Sequence, residues 1–219
     1  MACTYDTKSY GETTGTSLTV AHTIGGGSNR LLLVVECNEL TTSATTVKYN
    51  TVDMTKLYEV TNGMCYSVWY MLEAALPTAG ARNIVAAYAS SRDCCIIGMS
   101  VSDCLQAAPG YTAGSGTGTS ATATRTFAAA GSVALAAAMF IEDAVISAAA
   151  GETLLDKWPN GSYNIAGASR DDRDAGSQTM TLNTTAGSSA WKSVIVELGP
   201  VAAAGSPRSQ VIWIPTYTA

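Results

Sequence analysis

Ser17-Leu18-Thr19-Val20-Ala21-His22-Thr23-Ile24, then Gly25-Gly26-Gly27-Ser28-Asn29, then Arg30-Leu31-Leu32-Leu33-Val34-Val35-Glu36-Cys37: three stretches follow one another without a break. In the first, Leu18, Val20 and His22 alternate with Thr19, Ala21 and Thr23, the period of a strand with one face turned inward. The glycine-rich stretch is a turn. The third is apolar throughout at strand length, which predicts a central strand covered on both faces. Strand, turn and buried strand make the opening of the chain β, and the remainder repeats the pattern.

Residues 45–49 and 55–60 flank Asn50 and read as a hairpin. Asn62-Gly63 is the sharpest local signal, because a type I′ turn needs positive φ at both central positions. In the strand that follows, Cys65, Ser67, Trp69 and Met71 share one face and Met64, Tyr66, Val68, Tyr70 and Leu72 the other, and the bulkier second set reads as the core face. Pro77 to Gly80 breaks the pattern before two strands at 83–89 and 94–101. Residues 111–123, with Gly114, Gly116 and Gly118 among Ser and Thr, read as a flexible loop or a weak edge strand. Residues 124–127 and 132–141 form the next β pair. Within the latter, the alanine-rich run 134–139 is read as a buried strand in spite of its helix propensity.

Residues 157–161 read as a turn, 163–169 as a strand, 170–176 as a charged loop, and 177–183 with 190–198 as a final pair closed by Gly199-Pro200. About ten to twelve strands at this spacing predict an all-β, antiparallel two-sheet β-sandwich, jelly-roll or immunoglobulin-like, with an extended C-terminal tail strand. Residues 1–16 are an N-terminal extension or edge strand, 17–199 the sandwich, and 200–219 a linker and C-terminal assembly strand.

Composition bounds the function. With 219 residues the chain has ample length for one buried core. A net charge of −5 and no stripe of Lys and Arg argue against a nucleic-acid partner. The start of the chain has neither the cationic nor the apolar part of a signal peptide, and the longest apolar run, 133–141, is too short to span a membrane. The chain is therefore expected to be soluble and made in a cytoplasm, with no membrane partner. Its six cysteines, Cys3, Cys37, Cys65, Cys94, Cys95 and Cys104, lack a CxxC partner or a neighbouring His. Buried free thiols are the default in that compartment, and one or more disulfides the alternative. Cys94 and Cys95 are adjacent in a strand and must enter different cores.

No catalytic constellation can be assembled, so the reading is not an enzyme and no cofactor is expected. The single histidine, His22, sits mid-strand without a nucleophile motif and reads as a surface or hydrogen-bonded side chain. Asp172 and Asp174 ahead of Gly176 are the nearest approach to a metal-ligating pattern. They lack the terminal bidentate Glu of a calcium loop and read as part of a solvated loop. A glycosidase pair drawn from Glu36, Glu39, Glu59, Glu73 or Glu142 has no spacing to support it. Trp69, Trp158 and Trp213 are candidates for stacking on sugars, and ordinary structural roles are the alternative for each.

Several stretches nevertheless look alike to a known module. The run from Leu18 to Val35, Val47-Lys48-Tyr49-Asn50 with Met54-Thr55, Val68-Trp69-Tyr70-Met71 and Ala190-Trp191-Lys192-Ser193-Val194 together resemble a β-sandwich module recurrent in phage virion proteins and bacterial surface proteins. The resemblance covers residues 17–199. It implies a display, adhesion or assembly role: a viral structural protein, either a capsid decoration (cement) protein or a head-fibre or tail component in the virion. The partners it implies are the major capsid protein or other virion subunits, with self-association as a homo-oligomer, by analogy a trimer. A non-catalytic carbohydrate-binding or adhesion module with a cell-surface glycan as ligand is the alternative, and a glycoside hydrolase or lyase on the same scaffold a third reading.

The tail departs from that module. Ala202 to Pro207 reads as a linker and leads to Val211-Ile212-Trp213-Ile214-Pro215, whose apolar side chains fall on both faces of an extended strand. Such a segment requires cover, so these five residues are the expected assembly interface, on the chain's own domain or, preferably, on a neighbour.

Overall fold

The computed structural model describes residues 1–61, 65–140, 145–159, 165–185, 187 and 189–201. It is an all-β, sandwich-like fold whose strands pair antiparallel, and among the described residues the one short helical turn is Glu73–Ala75. Three sheets are present where two were expected.

The first sheet has seven strands: β1 (Thr4–Ile24), β2 (Leu31–Asn38), β3 (Thr46–Tyr49), β4 (Val52–Asp53), β5 (Thr55–Thr61), β6 (Cys65–Leu72) and β7 (Gly80–Ser102), in the order β4-β3-β7-β2-β6-β5 with β1 on the other side of β7. Of the remaining strands, β8 (Gly110–Gly118), β10 (Ser132–Phe140), β12 (Thr153–Pro159), β13 (Ile165–Arg173) and β15 (Ser189–Leu198) form the second sheet, ordered β12-β13-β10-β15-β8. The third holds β9 (Ser120–Phe127), β11 (Ile146–Ala148) and β14 (Gly176–Thr184).

β1 and β7 make one long ribbon, from Thr4 against Ser102 to Ile24 against Gly80. The ribbon curls where Gly15 pairs with Arg92 and Ser17 already pairs with Ala87, an irregularity that loops residues 88–91 out of the ladder. Curling brings the two halves of each strand face to face. A Cβ on Gly11 would lie 2.6 Å from Val20 Cγ2, and one on Gly98 would lie 2.7 Å from Ser9 Oγ and 2.8 Å from Ile84 Cδ1, so the closure depends on hydrogen at both positions.

Three apolar layers result. Inside the curl, Leu18, Val20, Tyr49, Ile84 and Ala86 pack on Leu32, Val34, Trp69 and Ile96. The opposite face of β2, β6 and β7, with Leu33, Val35, Val68 and Ile97, packs on Leu135, Ala137, Val194 and Val196 of the second sheet. That sheet's far face, with Ala134, Phe140, Trp191 and Ile195, meets Ala121, Phe127, Met180 and Leu182 of the third. β2 and β10 thus lie between two cores, which is why every residue of each is buried and why both sequences lack alternation. Cys94 enters the first layer and Cys95 the second.

Several strand pairings differ from expectation. β3 forms its hairpin with the two-residue β4, whereas β5 crosses to pair with β6. Both faces of β6 are core, the Ser67, Trp69 and Met71 face included. β9 and β10 belong to different sheets, as do β14 and β15, because successive strands pass between layers. Residues 83–89 and 94–101 are one strand. Lys157 lies in β12, and 170–173 complete β13, leaving a turn at Asp174 and Ala175 in place of the expected charged loop. Asn62-Gly63 lies outside the described residues; the strands flanking it pair, Thr61 opposite Cys65.

The glycine-rich run takes the second of its two expected forms, an edge strand and not a flexible loop: it is β8, joined in register to β15 from Gly118 opposite Ser189 to Gly110 opposite Glu197. Its glycines are packing devices. A Cβ on Gly116 would sit 2.7 Å from the Trp191 ring, and one on Gly114 would fall on the carbonyl oxygen of Thr122 in β9. Gly114→Ala therefore forces two backbones apart, and should cost about 1–3 kcal/mol, whereas exposed Ser115→Ala stays within about 0.5 kcal/mol of the parent. Equal denaturant midpoints for the two variants would remove this account of the glycines.

Candidate functional site

His22 occupies the inner face of the curl and is buried. Its Nδ1 lies 2.9 Å from Ser9 Oγ, the Tyr49 ring stands edge-on at 6.2 Å, and Nε2 has no hydrogen-bond partner. Burial lowers its pKa to about 4, against an opposing pull from Asp6. Asp6 does not complete a triad: its Oδ2 accepts from the Gly25 N–H at 2.7 Å and from Ser100 Oγ at 2.9 Å. The imidazole is a hydrogen-bonded core residue, not a surface one. Cysteine is no better placed as a nucleophile, since burial pushes the Cys65, Cys94 and Cys95 thiols above their usual range.

The carboxylates disperse. Glu36 is fully buried on β2 and accepts from Asn38 Nδ2 at 2.7 Å and Ser67 Oγ at 2.6 Å, while Ser67 Oγ itself accepts from Trp69 Nε1 at 2.7 Å. Desolvation raises its pKa despite these donors. Glu59 is held below the ordinary range by hydrogen bonds from Lys56 and Ser43, and Glu73 by its hydrogen bonds and ion pair with Arg30. Glu39 accepts from the Asp93 N–H at 3.1 Å. Glu142 lies outside the described residues. Asp172 sits on β13, 3.8 Å from Arg170 Nη1, and Asp174 in the following turn. Among the described residues no three His, Cys, Asp or Glu side chains gather into a group that could hold a metal ion.

Trp69 is buried in the innermost layer and Trp191 between the second and third sheets, so neither offers a sugar-stacking platform. Trp158 lies in β12, and Trp213 outside the described residues, as do the other assembly candidates Val211, Ile212, Ile214 and Pro215.

One surface does combine unused bonding capacity with an apolar hollow. Among the described residues β8 ends its sheet, bonded through its backbone to β15 alone. At its foot is a cavity of about 310 Å³ walled by Leu31, Leu105, Pro109, Ala128, Leu198 and Pro200. Arg125 of β9 and Glu197 of β15 pair along one side, Nε to Oε2 at 3.0 Å; Glu197 Oε1 also accepts from the Ala128 N–H at 2.8 Å, and Arg125 Nη1 donates to the Tyr111 carbonyl at 3.1 Å. The guanidinium lies over Gly110, where any side chain would collide with it. Sequence reading left an edge strand and a flexible loop open here because the two share one composition, and it offered no sign of the cavity.

Compared with protein-family models, with curated proteins and with solved structures, the chain finds no match in any of the three. The reading of function therefore rests on the residues themselves.

Proposed function

We propose that the chain is a non-catalytic structural protein of a virion, a capsid decoration protein or a head-fibre or tail component, that joins neighbouring subunits through its C-terminal segment. One observation carries this. Among the described residues the three apolar layers draw on side chains from Cys3 to Leu198, while the sequence carries a further apolar stretch at 211–215 whose side chains fall on both faces of an extended strand. Val211, Ile212, Trp213, Ile214 and Pro215 need cover on both faces and are suited to a partner. Two further points agree. The stretches quoted above resemble a virion module. A disulfide joins Cys3 to Cys104, in contrast to the free thiols expected by default, and such bridges suit oxidising surroundings such as the exterior of a particle. Partners are capsid subunits and copies of the chain itself, a trimer by analogy with decoration proteins. The glycan-binding alternative has lost Trp69 and Trp191 as exposed platforms.

Deleting residues 209–219 should leave the thermal melt nearly unchanged and abolish both self-association in sedimentation and binding to particles. Mass spectrometry of purified particles from the source should find the chain in them. A truncated protein that fails to fold, or that assembles as the parent does, overturns the reading.

A further inference from the structure

We infer that the receptor for the C-terminal segment is the open edge of β8, together with the cavity at its foot, on a second copy of this chain. The inference rests on the assembly reading above and names the surface on which that assembly occurs.

Edge strands invite extra strands unless charge, proline, a bulge or shortness prevents it. The other edges here are so protected. β1 carries Lys8 and Glu12 and two irregularities of register; β5 carries Lys56 and Glu59 and one irregularity. β12 carries Asp156, Lys157 and Pro159 and is irregular at Leu154. β4 and β11 are two and three residues long, and β9 carries Arg125. β8 has none of these features: Gly110 to Gly118 contains no charge and no proline and runs without a register shift. Its only hydrogen bond to a side chain among the described residues is the one from Arg125 to Tyr111 O.

The hollow at the foot of this edge fits an apolar anchor. Its volume is at the lower end of ligand pockets, Leu105 at its rim is 53% exposed, and its one charged pair is mutually neutralised. A strand added along β8 places alternate side chains on one face, so Val211, Trp213 and Pro215 move together and the central indole is the natural occupant. The segment's seven residues 210–216 extend about 23 Å, within the roughly 30 Å of nine-residue β8.

The donor is a second copy for two reasons. Gly199 and Pro200 form part of the wall of the same cavity and Val201 N–H bonds Asp103 O at 3.0 Å, so a segment beginning this close to the cavity fills it in cis only by doubling back. In addition, the segment is apolar on both faces while an edge covers one, and reciprocal exchange between copies covers the other.

The test uses the full-length chain with a photo-crosslinking amino acid in place of Trp213, in a mixture of isotopically light and heavy protein. Cross-links to residues 105–110 or 125–129 that join light to heavy chains are expected. Ala108→Trp, at an exposed position on the cavity wall, and Ser115→Lys, on the edge, should each keep the parent melt and weaken the oligomer by about tenfold or more, the loss typical of excluding a central anchor. Cross-links within one chain, to another surface, or absent altogether overturn the inference even where truncation abolishes assembly. An oligomer indifferent to truncation overturns the assembly reading instead.

Discussion

Replacing Cys3 and Cys104 together by alanine should lower the stability of the domain by about 2–5 kcal/mol. The bridge closes a loop with a sequence separation of 101, and the chain-entropy account assigns a loop of about that length roughly 4.7 kcal/mol before native-state effects. Its location adds to the effect. Cys3 precedes β1 and its N–H bonds Gly131 O at 2.8 Å, while Cys104 follows β7 and pairs with Pro200 at the exit of β15. Both sulfurs belong to the apolar layer between the first two sheets. The bridge thus anchors the start of the longest ribbon to the joint between sheets. For a domain of this size the loss corresponds to a melting temperature lower by on the order of 10 °C. Reductant should bring the parent down to the variant and leave the variant where it is. Parent and variant melting together under oxidising conditions would show that the bridge carries no stability.

Lowering the pH should destabilise the fold through His22 before the exposed carboxylates titrate. Its folded pKa of about 4 lies below the ordinary 6.5, so the unfolded chain binds a proton that the folded one refuses. The stabilisation is complete above pH 6.5 and is lost as pH falls towards 4, at up to about 1.4 kcal/mol per pH unit and about 3 kcal/mol in all. Glu36 acts with the opposite sign: its raised pKa makes its contribution complete below 4.5 and lost as pH rises. Glu59 and Glu73, with lowered values, lose theirs only below 4.5. Between 6.5 and 4.5 Glu36 therefore opposes the histidine, and subtracting a variant that keeps Glu36 isolates His22. Parent minus His22→Phe, from urea midpoints across that window, should slope by about one proton; parallel profiles would mean that the imidazole titrates as if exposed.

The sequence made the strands legible and their neighbours much less so. The burial of β2 and β10 was readable because a strand between two cores has no polar face to alternate with. His22 shares a face with Leu18 and Val20, a sign of inward placement that the reading as a surface or hydrogen-bonded side chain did not use; its missing second partner was not readable, since that depends on what the curl brings opposite. The hairpin assigned to β3 and β5, and the pairs assigned to β9 with β10 and β14 with β15, went astray for one reason. Alternation tells which way side chains point, and it carries no information on which sheet a strand joins. In the run from Gly110 to Gly118, close approach of Thr122 and Trp191 selects the same residues that flexibility would. Of the candidate site, the apolar tail was visible, the edge strand was one of two readings, and the cavity at its foot was not readable.

The ribbon of β1 and β7 also has a consequence for how the protein is made. Thr4 pairs with Ser102 and Ile24 with Gly80, so β1 is made well before β7 and waits for it. At synthesis rates of about 5–20 residues per second, that wait is roughly 5–20 s for the outermost pair. Throughout it, β1 has no permanent neighbour, and β2, which gains β6 on one side once Leu72 is made, still lacks β7 on the other and the two cores around it. A chain whose earliest strands are satisfied last has high contact order, folds on the slow side, and is open to wrong pairings while nascent. Co-translational chaperone occupancy should accordingly peak over the first hundred or so residues and fall once Ser102 has cleared the exit tunnel.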